Sequence, residues 1–299
     1  MAVRYDETAA TEHLSDYVGV LATSGVSFGS DPVLLRTGQD HDIVRVGTRA
    51  VYRFPRHQRA LDTLDREVAA LGRLSALAIG VLLPEVTDAT HIEALLGRAY
   101  VAQRYLVGEP LRQTSVEAVG ALAYRYAVEL ARVLQAMATV DVDADLVQVL
   151  DRAPITHSWA ELAAGVRERL LPLMSQDGRR RAEGELERVL AVEPPQTSCL
   201  VHGDFGGTNL RWDADETQLT GVLDWAQAHV GDPAYDLASV GATLGWPLAG
   251  VVDDVLESED PARLERARAY AGTFGLQEAW HSVTTGDDLA LEGGLLAYR

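Results

Sequence analysis

Lysine is absent from this 299-residue chain, and asparagine and cysteine occur once each, as Asn209 and Cys199. All 26 basic residues are therefore arginine, so any side-chain cation that meets a phosphate is a guanidinium. A single cysteine excludes an internal disulfide. In the apolar run Ser198-Cys199-Leu200-Val201 it reads as a small core residue rather than a nucleophile. No uninterrupted apolar run approaches the roughly 18 residues of a membrane helix. The opening segment MAVRYDETAATEHLSDY is acidic and has no apolar stretch, so no signal peptide is expected there, and the expected compartment is the cytoplasm.

Positive charge is scarce and unevenly placed. The net charge is −18; residues 1–100 and 101–200 each carry −3, and residues 201–299 carry −12. Such a field repels nucleic acid and anionic membrane, so neither is an expected partner, and it attracts cations. Solubility alone accounts for it equally well. Apolar residues make up 47% of the chain, enough for one large domain or two lobes of a soluble protein.

Patterning divides the chain. Residues 1–22 read as a helical opening. Short strand-like runs at 33–37, 43–46 and 50–54 form a β-meander that stops at Pro55. Leu61, Leu64, Val68, Leu71 and Leu74 predict a helix over about 61–75, and apolar runs follow near 81–86 and 99–106. Beyond Gly108-Glu109-Pro110 the character turns helical. Thr114-Ser115-Val116-Glu117 and Ser158-Trp159-Ala160-Glu161 have capping-box spacing, each before a helix. A third helix is expected over 178–192, stopped by Pro194-Pro195. Then Leu200-Val201-His202 and Leu210-Arg211-Trp212 read as a hairpin-like pair, Leu219 to Leu223 follows, and helices fill 233–281. This gives a β-rich lobe over 1–107 and a mostly helical lobe over 108–299, an α+β chain.

The lone asparagine sits in His202-Gly203-Asp204-Phe205-Gly206-Gly207-Thr208-Asn209, and Asp224-Trp225 follows fifteen residues later. By composition, His-x-Asp-x4-Asn arises by chance in roughly 0.2 per cent of such chains. Phosphoryl transfer of the protein-kinase type needs this set: a carboxylate to accept the hydroxyl proton, and oxygen ligands for magnesium. Asp204 is the candidate base, Asn209 and Asp224 the candidate metal ligands, and the glycines permit the tight turn between them. His202 reads as a brace for the loop backbone. In the first lobe, Arg53 is either a solvated strand residue or the cation on the nucleotide phosphates, positioned by Glu67. The turn Gly38 to Asp42, with Gln39 and His41, would cover those phosphates.

Val201-His202-Gly203-Asp204, Asn209, Gly221-Val222-Leu223-Asp224-Trp225, Gly231-Asp232-Pro233 and Asp236-Leu237-Ala238 together resemble the aminoglycoside phosphotransferase family. Val51 to Arg56 looks like that family's third strand, and Tyr105 to Leu111 like its hinge. The resemblance implies a bilobal, protein-kinase-like fold, magnesium and ATP as cofactors with GTP left open, and a hydroxyl acceptor. It implies that Gln103 to Leu106 present backbone groups to adenine, chiefly at Arg104 and Leu106, and that Asp232 and Asp236 brace the metal-binding loop. A narrower likeness, to the viomycin and capreomycin phosphotransferases, is carried by residues 159–190, Gly206-Gly207 and the closing Gly293 to Arg299. Those enzymes phosphorylate a cationic cyclic peptide.

Two departures bear on substrate choice. Ala226 stands where many family members have an acid, and Gly206-Gly207 where relatives often have His-Pro. A cationic antibiotic would be held by acids and aromatic faces of the second lobe. The candidates are Asp232, Trp246, Asp253, Asp254, Glu257, Glu278 and Trp280; for each one taken singly, packing or solvation is the stronger reading than contact with substrate. The leading expectation is an O-phosphotransferase that inactivates an aminoglycoside or tuberactinomycin. A kinase for an amino alcohol, homoserine or a sugar, and a non-catalytic nucleotide- or antibiotic-binding module, are the alternatives.

Overall fold

The computed structural model describes residues 7–28, 31–35, 41–111, 120–150, 158–195, 197–256, 260–285 and 288–299. The chain divides into two compact units, residues 1–77 with 82–107, and 78–81 with 108–299.

The first unit is built on an antiparallel five-stranded sheet. Its strands are β1 (Val33–Leu35), β2 (His41–Val46), β3 (Ala50–Pro55), β4 (Val86–Asp88) and β5 (Val101–Arg104), in the order β1-β2-β3-β5-β4. Alternation gives the sheet two unlike faces. Val44, Phe54 and Tyr100 are buried with Leu21 of helix α1 (Glu7–Thr23), and Tyr17 stacks on Phe54 with ring centroids 4.4 Å apart. Ile43, Val51, Arg53, Val101 and Gln103 are in register across the opposite face. The helix expected over 61–75 is two pieces, α2 (Gln58–Asp62) and α3 (Leu64–Leu74), parted at Thr63. In α3, Asp65 and Glu67 stand in the first turn and Arg73 in the last, the arrangement that complements the helix dipole.

The second unit is mainly helical. Its described helices include α4 (Gly120–Ala138), α5 (Ala144–Leu150), α6 (Trp159–Gly165), α7 (Gln176–Leu190), α8 (Ala234–Leu244), α9 (Trp246–Val255), α10 (Arg263–Gly272), α11 (Phe274–Thr285) and α12 (Asp288–Gly294). Ser158 caps α6 by accepting from the Glu161 N–H at 3.0 Å, as its spacing predicts. Thr114 to Glu117 lie outside the described residues. After α6 the backbone widens into a π turn over Val166–Leu170 and tightens to a 3-10 turn over Leu171–Leu173. Pro172, with no N–H to give the ladder, accounts for the irregularity. Leu162, Val166, Leu170, Leu186, Leu276 and Tyr298 form the core of these helices. Among the described residues no helix is long and apolar enough to cross a membrane.

Short strands mount the motif loop on this helical body. They are β6 (Glu109–Pro110), β7 (Cys199–Val201), β8 (Leu210–Trp212), β9 (Leu219–Val222) and β10 (His229–Gly231). The hairpin expected between β7 and β8 does not form: β7 pairs with β10, and β8 pairs with β9 and β6. The loop between β7 and β8 crosses from one small sheet to the other, so the two runs that flank it have different partners. Cys199 is buried, and burial pushes its thiol up to about 12, in keeping with a core role.

Candidate active site

His202, wholly buried at the end of β7, anchors the motif loop. Its Nδ1 accepts from the Asp204 N–H at 3.1 Å, so its Nε2 carries the proton and donates to the Leu223 carbonyl at 2.9 Å. Burial holds the ring neutral, with a pKa of about 4, and its face meets Trp225 edge-on at 4.6 Å. His202 thus ties the loop to the segment leading into Asp224. Asp236, on α8, braces the same corner. Its two oxygens accept from the His202 N–H at 2.8 Å and the Gly203 N–H at 2.9 Å. Burial nonetheless raises its pKa to about 7 against those bonds. Gly203 has φ +85° and its α-hydrogen faces the Gln227 carbonyl, so only glycine fits there.

Beyond Phe205 the loop turns back on itself. The Gly206 N–H donates to the Asp204 carbonyl at 2.8 Å, and the Asn209 N–H to the Gly206 carbonyl at 3.0 Å. Gly206 and Gly207 ride on α8. The Gly207 N–H donates to Thr243 Oγ1 at 3.0 Å, and a β-carbon on Gly207 would come within 2.7 Å of Leu244 and 2.8 Å of the Leu111 carbonyl. This contact explains Gly207, since the surface beneath leaves no room for a side chain; at Gly206 a β-carbon would sit tightly, 3.1 Å from Thr243.

The turn brings Asn209 to Asp204. The Asn209 amide donates to the Asp204 carboxylate at 2.8 Å and to its carbonyl at 2.9 Å. Pairing of Leu210 with Val222, and a bond from the Leu223 N–H to the Asn209 carbonyl at 2.8 Å, then carry Asp224 to the same end of the β8–β9 ribbon. Asp224 adopts a left-handed backbone, φ 59° and ψ 70°, and starts the 3-10 turn Trp225–Gln227. Trp225 packs behind it, buried, with its Nε1–H on the Val222 carbonyl at 3.0 Å. Asp204 is open to solvent at its surface yet crowded by protein. Desolvation first, and the Asp224 charge second, push it up to about 6 against the Asn209 hydrogen bond. The three motif residues are thus gathered at one place in the second unit.

In the first unit, Arg53 and Glu67 are both buried and form an ion pair between β3 and α3. His41 Nδ1 lies 3.3 Å from Arg53 Nη2. Gln39 lies outside the described residues. At the expected hinge, the Arg104 N–H is committed to the Glu85 carbonyl at 2.8 Å and the Tyr105 N–H to the Arg49 carbonyl at 2.9 Å. What Arg104 has to offer a base is its carbonyl. Its guanidinium pairs with Glu85 at 2.6 Å. Leu106 is buried beside it.

The substrate candidates are not gathered in this way. Asp232, a candidate contact for a cationic substrate, is instead an internal brace. It accepts from Arg266 Nε at 2.7 Å, Arg266 Nη2 at 3.0 Å, the Tyr270 hydroxyl at 2.7 Å and the Ala234 N–H at 2.9 Å. Asp253 pairs with Arg263 at 2.6 Å. Trp246 lies against Gly241 with Arg268 over its ring, and Trp280 packs on Gly165 in the helical core. Asp254 and Glu278 are exposed; Glu257 lies outside the described residues. Two residues that motif reasoning passed over belong to the site. Thr243 holds Gly207, and Tyr235, whose hydroxyl is raised well above its usual range by burial, stands within the field of Asp204. Both lie on α8, where helical spacing from Asp236 could have pointed to Thr243 but not to its neighbour Tyr235.

A family model, described as phosphotransferase enzyme family, matches residues 33–277. Viomycin phosphotransferase of Streptomyces vinaceus is 36% identical over 267 residues, spanning 88% of this chain and 91% of that protein. Among solved structures, the GDP and kanamycin complex of APH(2")-IIia superposes with a TM-score of 0.80 at 19% identity, covering 94% of this chain and 96% of that one. The streptomycin-ATP-APH(2")-IIa ternary complex has a TM-score of 0.69 at 16% identity, with 97% of each chain covered. The chain therefore belongs to the phosphotransferase enzyme family and has its α+β, protein-kinase-like fold.

Proposed function

We propose that this chain transfers the terminal phosphate of ATP, or of GTP, to a hydroxyl of a cationic antibiotic of the aminoglycoside or tuberactinomycin kind, and so inactivates it. One observation carries the reading: 36% identity to a viomycin phosphotransferase along 88% of the chain, with Asp204, Asn209 and Asp224 gathered on one loop and the ribbon after it. Nucleotides and aminoglycosides named with the similar solved structures support the same substrate classes. The acidic balance of residues 201–299 suits a polycationic acceptor.

In this reading residues 1–107 hold the nucleotide, and residues 108–299 hold the catalytic loop and the acceptor. Asp204 accepts the hydroxyl proton; its raised pKa makes it a competent base near neutral pH. Asn209 and Asp224 hold magnesium, which when bound neutralises charge on the phosphates. The donor set fits. It offers hard oxygen atoms, and two carboxylates close enough that one raises the other are relieved by a dication. Arg53, aligned by Glu67, meets the phosphates, and the Arg104 carbonyl and Leu106 N–H meet the base.

Incubation with ATP, magnesium and a panel of aminoglycosides, macrolides and tuberactinomycins, followed by mass spectrometry, tests this. The expected result is addition of one phosphate to a cationic antibiotic. Turnover of homoserine, choline or a sugar with inert antibiotics replaces the reading with that of a small-metabolite kinase.

A further inference from the structure

His41 opens β2 opposite Pro55, and Ile43 lies opposite Arg53. Residues two apart on a strand share a face, so His41 and Arg53 are diagonal neighbours on one side of the sheet. Their side chains meet, with Arg53 Nη2 3.3 Å from His41 Nδ1. A guanidinium has donors only, so Nδ1 is the acceptor and the ring's proton belongs on Nε2. His41 is 8% exposed, and its Nε2 is buried with no hydrogen-bond partner among the described residues. Burial first, and the charge of Arg53 second, hold the ring neutral.

A second donor of this kind stands nearby. Gln103 pairs with Val51, two residues from Arg53 on the same face; it is 3% exposed and its Nε2 also lacks a partner. A buried donor without an acceptor costs about 1–3 kcal/mol, so two on the face that carries the buried guanidinium point to an acceptor-rich ligand. On the opposite face the buried side chains are apolar and aromatic apart from Asp42, which accepts from the Tyr17 hydroxyl at 2.6 Å.

We propose that His41 is a phosphate-positioning residue: Nδ1 fixes the Arg53 guanidinium, and Nε2–H donates to an oxygen of the nucleotide's phosphate chain. This rests on the nucleotide reading of the first unit and adds to it a neutral donor beside the cation. An imidazole locked in one tautomer extends the hydrogen-bonding edge of Arg53 without adding charge. Glu67 fixes the same guanidinium from α3, so the cation is aligned by a carboxylate and an imidazole.

The test is a long-range proton–nitrogen spectrum of the protein labelled with ¹⁵N-histidine. The His41 signals, among those of eight histidines, are assigned by their loss in His41→Asn or His41→Gln. The free protein is expected to show the Nε2-protonated tautomer. Titration with ADP or inorganic tripolyphosphate is expected to move the Nε2 signal, and adenosine to leave it in place. His41→Asn should bind ADP about tenfold more weakly with the Michaelis constant for the acceptor unchanged. His41→Gln, which keeps a donor near Nε2, should recover part of that loss. A proton on Nδ1, or an unmoved ring in protein that calorimetry shows saturated with ADP, overturns the proposal alone. Failure of the wild-type protein to bind ADP at all overturns the nucleotide reading and this one with it.

Discussion

The Asn209 amide donates at once to the carboxylate and to the main-chain carbonyl of Asp204, at 2.8 and 2.9 Å. The two bonds separate chemistry from architecture. Removing the carboxylate in Asp204→Ala leaves the carbonyl bond, so the loop keeps its turn. Turnover should fall by about 10²–10⁴-fold while nucleotide affinity, read by calorimetry, stays within about twofold. Antibiotic protection by Asp204→Ala equal to wild type would favour sequestration over catalysis.

Asp224→Ala should act through the cation. We expect turnover to demand far more magnesium, or to be lost, while nucleotide-free stability holds or rises. Magnesium titrations that superimpose for wild type and Asp224→Ala would contradict its place as a ligand.

Thr243 and Gly207 make a paired test of the loop's seat. Thr243→Val removes the acceptor for the Gly207 N–H and should lower unfolding free energy by about 1 kcal/mol. Gly207→Ala forces a methyl towards Leu244 and the Leu111 carbonyl and should cost about 1–3 kcal/mol. Denaturant melts give both numbers, and a neutral Gly207→Ala would refute the seat described for the loop.

Asp232 should behave as a brace. Arg266 and Asp232 are nearly buried, with side chains 7% and 9% exposed. Asp232→Ala strands the guanidinium with Asp260 as its remaining carboxylate, and should destabilise the fold by about 3–5 kcal/mol. A variant that folds normally and binds antibiotic weakly would restore Asp232 as a substrate contact.

Asp236 makes stability depend on pH with a definite sign. Its folded pKa, about 7, lies above the unfolded value of about 3.9. Between the two the folded state holds the extra proton. The stabilising contribution is thus full below about pH 4 and is lost as pH rises through 7. Thermal melts from pH 4 to 8 should show this slope in the wild type and a shallower one in Asp236→Asn. Parallel slopes would remove the assignment.

How much of this was legible in the residue order follows from how local each feature is. Asp204, Asn209 and the glycines between them share one turn, so their spacing reports their geometry. Arg53 and Glu67 are fourteen residues apart, with only the short α2 between their elements, and are joined by a buried ion pair. Strand pairing was less accessible: Cys199–Val201 meets His229–Gly231 rather than the nearer Leu210–Trp212, because the motif loop crosses between sheets. The acids of the second unit were least legible. Whether a carboxylate faces solvent or an arginine depends on tertiary neighbours, and Asp232 finds Arg266 thirty-four residues away. A separation of thirty-six residues likewise hid Thr243 from the loop it holds.

Asp224 is one of two described non-glycine residues with positive φ, the other being Glu216. A carboxylate held in a left-handed turn gives up about 1 kcal/mol that glycine would return. Any search for sturdier variants will be drawn to that position, and each gain there will be bought with the cation's anchor. Thermostability screens run without an activity filter should therefore enrich inert proteins, and position 224 is where such false winners should accumulate.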